Sequence, residues 1–391
     1  MTYLDHGATT PMLPEAIAAM SAVMAQPGNP SSVHSSGRQA RRIVEENREL
    51  IAAAIGARPI EVIFTAGGTE SDNLAIKGLY WAQNSKDKNR NRILASSIEH
   101  HAVLDTVIWM GEHEGANVEF LPVDKDGRVQ PETLRKAFEK NPNDVALVSI
   151  MWANNEVGTV EPIKELAAIT HEFGSIFHSD AVQAVGCLPV HFQESGADAL
   201  TISGHKLGGP IGIGALILKR DIELTPILHG GGQERDVRSG TLPVALIAGF
   251  GAAVVTAVTQ RVSRANRLTT LRKDLVKRIL ATISEAVFNG DPENRLPGNA
   301  HFSFTGCEGD ALLMLLDAQG IECSTGSACS AGIPQPSHVL LAMGRDEATA
   351  RGSLRFSFGT TSTPDDVDSV LQFLPAVVER AKRAGKPAVK I

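Results

Sequence analysis

Ser203-Gly-His-Lys206 follows an apolar run and precedes the glycine turn Leu207–Pro210. A lysine so placed leaves water on folding, and desolvation lowers its pKa until the amine is a nucleophile able to form a Schiff base. Most of the other lysines read as ordinary surface residues. His178-Ser-Asp180-Ala-Val-Gln183 closes a second apolar run. An acid at the C-terminal end of a strand suits a ligand site in an open α/β sheet, although the same aspartate also suits the N-cap of a following helix. Thr65-Ala-Gly-Gly-Thr69-Glu-Ser-Asp-Asn73 reads as strand, glycine turn and helix start. Its backbone N–H groups and hydroxyl form an anion site suited to phosphate; plain turn chemistry gives the same pattern, and the P-loop spacing is absent. A desolvated lysine, an acid that holds a pyridinium nitrogen protonated and a phosphate-sized anion site are together what pyridoxal phosphate (PLP) requires.

PLP leaves the reaction open, and a cysteine narrows it. Cys329 lies between Ala328 and Ser330 in Ser324–Ser337, a stretch rich in Ser, Gly, Ala and Pro. That composition predicts an exposed, mobile loop and disfavours the ordinary role of a lone cysteine as a small buried apolar group. A thiolate in such a place is a nucleophile. Cys323 ends the apolar approach to the loop and reads as structural, as do Cys187 and Cys307. No two cysteines form a C-x-x-C pair, which argues against a zinc ribbon or a thioredoxin-like motif. The His100-His101 pair lacks an accompanying carboxylate or cysteine cluster, so no metal is expected.

The elements that must position these residues follow from apolar patterning. Val62–Thr65, Ile93–Ser96, Val145–Met151, Ser175–Ser179, Ala199–Ser203 and Gly212–Leu218 are runs with little polar alternation, as in strands covered on both faces. Helical stretches such as Thr69–Trp81 and Pro162–Phe173 lie between them, which predicts a mainly parallel sheet sandwiched by helices. Ser239 to Gln260 carries no charge. Thr241 before Pro243 reads as a helix start, with the charged run from Arg261 continuing the same helix; a buried core helix is expected there, not a membrane span. Beyond the charged segment Arg261–Ala286, Ala300–Phe304 and Leu354–Ser357 read as strands, and Asp310–Ala318 and Pro364–Arg383 as helices. The expected division is a large domain over 12–260 and a smaller C-terminal α/β domain over 261–391 joined by residues 1–11.

With 391 residues, 43% hydrophobic and 21% charged, the chain has ordinary globular composition. A formal net charge of −7 leaves no basic excess to neutralise phosphates, which argues against stable nucleic-acid binding. The start, MTYLDHGATTP, has neither a basic opening nor an apolar run, so a cytoplasmic protein is expected.

Taken in order, the motifs resemble those of cysteine desulfurases, PLP enzymes of the class V aminotransferase group. They are YLDHGATTP at Tyr3–Pro11, GNPSSVHSSGR at Gly28–Arg38, GGTESDNLAIKG at Gly67–Gly78 and EHHAV at Glu99–Val103. NNEVG at Asn154–Gly158, SDAVQAVG at Ser179–Gly186, SGHK, RSGTLP at Arg238–Pro243, STGSACSAG at Ser324–Gly332 and LRFSFG at Leu354–Gly359 complete the series. The resemblance implies PLP fold type I, L-cysteine as substrate, L-alanine as product and a persulfide on Cys329, in the longer loop of the group I (NifS/IscS) type. It implies that Lys206 binds PLP covalently, Asp180 pairs with the ring nitrogen, Gln183 meets the ring hydroxyl, and His100 stacks on the ring and moves protons. Gly68, Thr69, Ser203 and His205 would hold the phosphate, with Thr241 reaching the phosphate of a partner subunit in a homodimer. Asn155 would lie near ring and substrate, Arg355 would clamp the substrate carboxylate, and Asn29 would lie in the substrate site. An iron–sulfur scaffold, or another sulfur acceptor as in tRNA thiolation, would collect the persulfide. An aminotransferase or kynureninase-like hydrolase on the same fold would have no need of STGSAC. A catalytically silent assembly scaffold would not need Lys206, Asp180, His100, Cys329 and Arg355 together.

Overall fold

The computed structural model describes residues 1–325 and 335–384. Seven strands form the main sheet, in the spatial order Val62–Thr65, Gly214–Leu218, Ala199–Ser203, Ile176–Asp180, Val145–Ser149, Arg92–Ser96 and Asn117–Leu121. Gly214–Leu218 runs antiparallel to both of its neighbours, and the other pairings are parallel. This is the mainly parallel α/β architecture expected from the apolar runs.

Side chains alternate faces along a strand, so a strand covered on both sides needs apolar residues at consecutive positions. Ile63, Ile93, Leu147 and Leu216 enter one core, with Leu74, Leu79, Val103 and Met110 from the helices Gly68–Lys86 and His101–Glu114. Their neighbours Phe64, Leu94, Val148 and Ile217 enter the opposite core, with Val44 and Ile51 from Ser35–Ala54, Leu166 from Ile163–Glu172, and Phe250 from Val244–Thr259. Polar residues that end these strands are therefore delivered to the sheet's C-terminal edge.

A separate core forms around the antiparallel sheet Ser353–Ser357, Asn299–Phe304 and Ala286–Asn289. It contains Phe302, Phe304, Leu354 and Phe356, together with Leu275, Ile279, Leu312 and Leu374 from helices and Leu4 from the N-terminus. Thr2–Tyr3 pairs in parallel with Ile321–Glu322. A bridge between Asp5 and Ser357 then sets the next residues beside the strand that carries Arg355.

Three expectations need correction. The apolar helix does not continue through Arg261: Val244–Thr259 and Arg261–Thr282 meet at a bend of 68°. The first packs on the helices Pro14–Met24 and Ser35–Ala54, whereas Leu268, Leu271 and Leu275 of the second belong to the C-terminal core, so two cores pull the helices apart. Thr241 does not cap the first helix, since Pro243 occupies the N-cap without a side-chain hydrogen bond. Asn117–Leu121 is an unforeseen edge strand with only Leu121 fully buried. No single described helix is long and apolar enough to cross a membrane.

One buried ion pair ties the sheet to the chain that leads toward Thr241. Arg48 Nη1 and Nη2 donate to Glu234 Oε2 and Oε1 at 2.8 and 2.7 Å, and Phe64 N donates to Glu234 Oε2 at 2.8 Å. Next to Glu234, Arg235 and Asp236 adopt φ of 55° and 60°, a conformation that side-chain-bearing residues keep only when neighbouring contacts hold them. Replacing Glu234 by Ala removes the bidentate partner of Arg48, leaves it with the more exposed Glu45 at 3.0 Å, and strands the Phe64 N–H. Urea unfolding monitored by circular dichroism is expected to show a loss of about 3–5 kcal/mol.

Candidate active site

The C-terminal ends of the parallel strands open into one cavity of about 370 Å³. Gly68, Thr69, His100, Asn155, Asp180, Gln183, Ser203, His205, Lys206 and Arg355 all line it. Ten residues singled out in the sequence, drawn from positions almost 290 apart, thus share one site. Thr241 and Asn29 are exposed and do not line it; Asn29 Oδ1 accepts from Ser31 N at 2.9 Å. Cys329 lies outside the described residues. Ser324, five positions before it, and His338, nine after it, both line the cavity.

Lys206 ends a single helical turn, Gly204–Lys206, that follows the strand Ala199–Ser203. The chain then reverses at Gly208, where φ is +80° and a Cβ would meet Leu13 at 2.6 Å. Lys206 Nζ donates to the carbonyls of Gly7 and Ala8 at 2.6 and 2.7 Å. Burial first, and the Arg355 charge second, lower its pKa to about 8, against the opposing pull of Asp5 and Asp180. The amine therefore has a sizeable neutral fraction at mildly alkaline pH, as a nucleophile or base requires.

Asp180 is buried at the end of its strand, and its Oδ1 accepts from Val182 N at 2.8 Å. No helix follows, so the aspartate closes a turn and is not a helix cap. Burial pushes its pKa up to about 6, opposed by the Val182 N–H and by Lys206. A carboxylate held this far from water favours a cation placed against it.

Behind it stands an acid that sequence reasoning missed. Asp72 is 1% exposed, and burial, reinforced by the Asp180 charge, raises its pKa well above the carboxylate range. Its Oδ1 has no hydrogen-bond partner and lies 3.6 Å from His178 Nε2. His178 is itself kept neutral by burial, its pKa down to about 3, between Ser149 Oγ at 2.9 Å and Thr201 Oγ1 at 3.1 Å. The available signal was position: Asp72 stands among Ser71, Leu74, Ala75 and Ile76 on the buried side of its helix.

Gly67, with φ of +152° and ψ of −175°, turns the chain from strand to helix in a backbone conformation that side-chain-bearing residues rarely adopt. Thr65 Oγ1 and Ser71 Oγ, 2.7 Å apart, brace it. The first N–H groups of an α-helix have no acceptor within the helix, and here Gly68 and Thr69 bring them to the cavity wall. A Cβ at Gly68 would stand 3.1 Å from Val182, which allows the helix start to lie close to the Asp180 turn. His100 is the N-cap of His101–Glu114, its Nδ1 accepting from Ala102 N at 3.1 Å. Burial, then Lys206, lower its pKa to about 4; the ring is neutral and carries its proton on Nε2. His205 is likewise held near 4 by burial and Lys206.

Residues distant in sequence close the cavity. Gln183 Nε2 donates to Gly7 O at 2.9 Å. Arg355 donates from Nη2 to Asp5 Oδ1 at 2.7 Å and from Nη1 to Asn155 O at 2.9 Å. Asn154 Oδ1 accepts from the N–H groups of Glu156 and Val157, both at 2.9 Å, shaping the turn. The next three carbonyls are also taken: Glu156 O by Asn299 Nδ2, Val157 O by Arg295 Nη2, and Gly158 O by Leu296 N. Four consecutive carbonyls are thus fixed by the C-terminal part of the chain.

These residues fit PLP. Lys206 offers an amine of lowered basicity, Asp180 a buried carboxylate that forms no salt bridge among the described residues, and Gly68–Thr69 an anion cradle within the same cavity. Among the described residues no cluster of His, Cys, Asp or Glu has the makings of a metal site. The three described cysteines are poor nucleophiles. Burial raises the thiol of Cys187, that of Cys307 to about 11 and that of Cys323 to about 12.

The aminotransferase class-V family model matches residues 2–370. A relative from Mycobacterium tuberculosis, named IscS-like cysteine desulfurase, is 59% identical over 389 residues and covers 99% of both chains. A solved structure described as a NifS-like protein superposes with a TM-score of 0.89 at 34% identity, over 97% of this chain and 100% of that one. Another, described as SspA in complex with cysteine, gives a TM-score of 0.78 at 33% identity, over 92% and 99%.

The environment of Lys206 has a direct consequence in the cofactor-free protein. Amine-selective labelling across a pH series, read by peptide mass spectrometry, is expected to show Lys206 reacting with a midpoint at about 8, well below the roughly 10.4 of an exposed lysine.

Proposed function

This chain belongs to the aminotransferase class-V family, and from that premise we propose that it takes sulfur from L-cysteine through Lys206 and Cys329. It is a PLP-dependent cysteine desulfurase. The observation that carries the residue assignment is the convergence of Lys206, Asp180 and the Gly68–Thr69 helix start on one cavity.

Lys206 would hold PLP covalently, with Asp180 for the ring nitrogen, Gln183 for the ring hydroxyl, and Gly68, Thr69, Ser203 and His205 for the phosphate. When bound, PLP supplies an electron sink that labilises first the α-proton of the substrate and then its carbon–sulfur bond. Arg355 clamps the substrate carboxylate, with Asn155 and Asn29 at the same subsite; a guanidinium fork matches that group. Lys206, whose pKa is lowered to about 8, would accept the α-proton at Nζ. His100, neutral and carrying its proton on Nε2, would stack on the ring without adding a cation beside Lys206, and would move protons during the reaction.

Cys329 then attacks the substrate sulfur as a thiolate. A sulfur–sulfur bond forms, the substrate's Cβ–S bond breaks, and Cβ keeps the bonding pair and takes a proton. Cysteine plus the Cys329 thiol become alanine plus the Cys329 persulfide, and no outside oxidant enters. The raised pKa values of the other three thiols support this choice of nucleophile. The persulfide passes to an acceptor, an iron–sulfur scaffold or a tRNA-thiolation protein, in the cytoplasm. The working unit is a homodimer, in which Thr241, exposed on its own subunit, reaches the phosphate site of the partner subunit. Neither stable nucleic-acid binding nor membrane attachment belongs to this reading.

The test is alanine formation from L-cysteine under reductant. Cys329→Ala is expected to slow it by roughly a hundredfold or more, whereas an aminotransferase or hydrolase on this fold would be indifferent to the change. Lys206→Ala is expected to lose the borohydride-trapped covalent adduct, and alanine formation undiminished in Cys329→Ala would overturn the sulfur-transfer reading.

A further inference from the structure

Arg355 is 4% exposed, and a guanidinium so buried needs a counter-charge. Its salt-bridge partner among the described residues is Asp5. The fork is not saturated. Nη2 serves Asp5 and Nη1 serves the Asn155 carbonyl, while Nε is sealed from solvent without an acceptor. That edge faces Gly7, where a Cβ would stand 3.2 Å from Nε and 3.1 Å from Cζ. Glycine at position 7 lets the N-terminal residues pack close against the Nε edge.

Asp5 is fixed by its backbone. Its carbonyl accepts from Tyr3 Oη at 3.2 Å and from Ala8 N at 3.0 Å, while Gly7 N donates to Ser357 Oγ at 2.8 Å. Its carboxylate retains 23% exposure against 5% for the Arg355 side chain. The geometry is that of an internal carboxylate resting on a carboxylate receptor.

We propose that Asp5 is a specificity-determining residue that competes with the substrate's α-carboxylate for Arg355. The proposal rests on the assignment of Arg355 as the carboxylate clamp. An incoming carboxylate either displaces Asp5 from Nη2 or takes a remaining N–H of the two terminal nitrogens beside it. The first breaks an ion pair, and the second places two anions on one guanidinium. Both weaken binding relative to a site with no charge at position 5. A simple carboxylate must overcome this with one contact, whereas an amino acid also engages the cofactor through its amine. Asp5 therefore discriminates amino acids from other small carboxylates, a repulsive element acting beside an attractive one.

The probe is 3-mercaptopropionate, which keeps the carboxylate and thiol of cysteine but lacks the amine, titrated calorimetrically into the holoenzyme. Asp5→Asn and Asp5→Ser are expected to lower its dissociation constant roughly five- to tenfold, and Asp5→Glu to hold it within about twofold of wild type. A damaged site does not bind more tightly, so the gain separates competition from a structural role. Unchanged or weaker binding in a neutral variant that keeps the wild-type melting temperature overturns the proposal. Arg355→Lys in the otherwise wild-type protein separates the two layers. If it weakens the probe while the Asp5 variants fail to tighten it, competition alone is wrong; if it leaves binding unchanged, the clamp assignment fails and the proposal falls with it.

Discussion

A carboxylate and an amine brought to the edge of an apolar sheet, with little water to solvate either, set the terms for the rest of this site. Asp180 and Lys206 follow consecutive strands whose residues are buried on both faces. Burial raises one pKa and lowers the other, so both charged forms are disfavoured until a partner arrives. Such a pair is a cost in an empty protein and an asset around a cationic ring and a carbonyl carbon. Asp72 sharpens this: burial and the Asp180 charge both oppose the ionisation of this second buried acid.

The N-terminal strap supplies what the sheet cannot. Gly7 and Ala8 carbonyls hold the Lys206 amine, Gly7 O also accepts from Gln183, and Asp5 neutralises Arg355. Three residues near the start of the chain thus reach three of the assigned side chains. The turn Asn154–Gly158 forms the facing wall, and its carbonyls are bound one after another by Arg355, Asn299, Arg295 and Leu296. Side chains carried on such fixed backbone lose less freedom when a ligand orders them.

What was legible in the sequence was whatever local physics controls. Unbroken Val, Ile and Leu runs gave away the doubly covered strands, and the polar residues ending them had to emerge at one edge. Lys206, Asp180 and the Gly67–Thr69 turn were readable for that reason. The edge strand Asn117–Leu121 was not, because a half-exposed strand of five mixed residues carries little pattern. The 68° break at Gln260 was hidden because no proline or glycine marks it; two separate cores impose it. Asp72 looked like any helix acid until its face was known to pack inward. The Asp5–Arg355 pair spans 350 positions, and no local rule connects such residues.

Transfer of sulfur from the substrate to Cys329 is read out by peptide mass spectrometry after a single turnover with isotopically labelled L-cysteine. One labelled sulfur is expected on the peptide containing Cys329 and none on those containing Cys187, Cys307 or Cys323. Labelled sulfur on one of those three, or alanine formed with all four thiols unmodified, would contradict it.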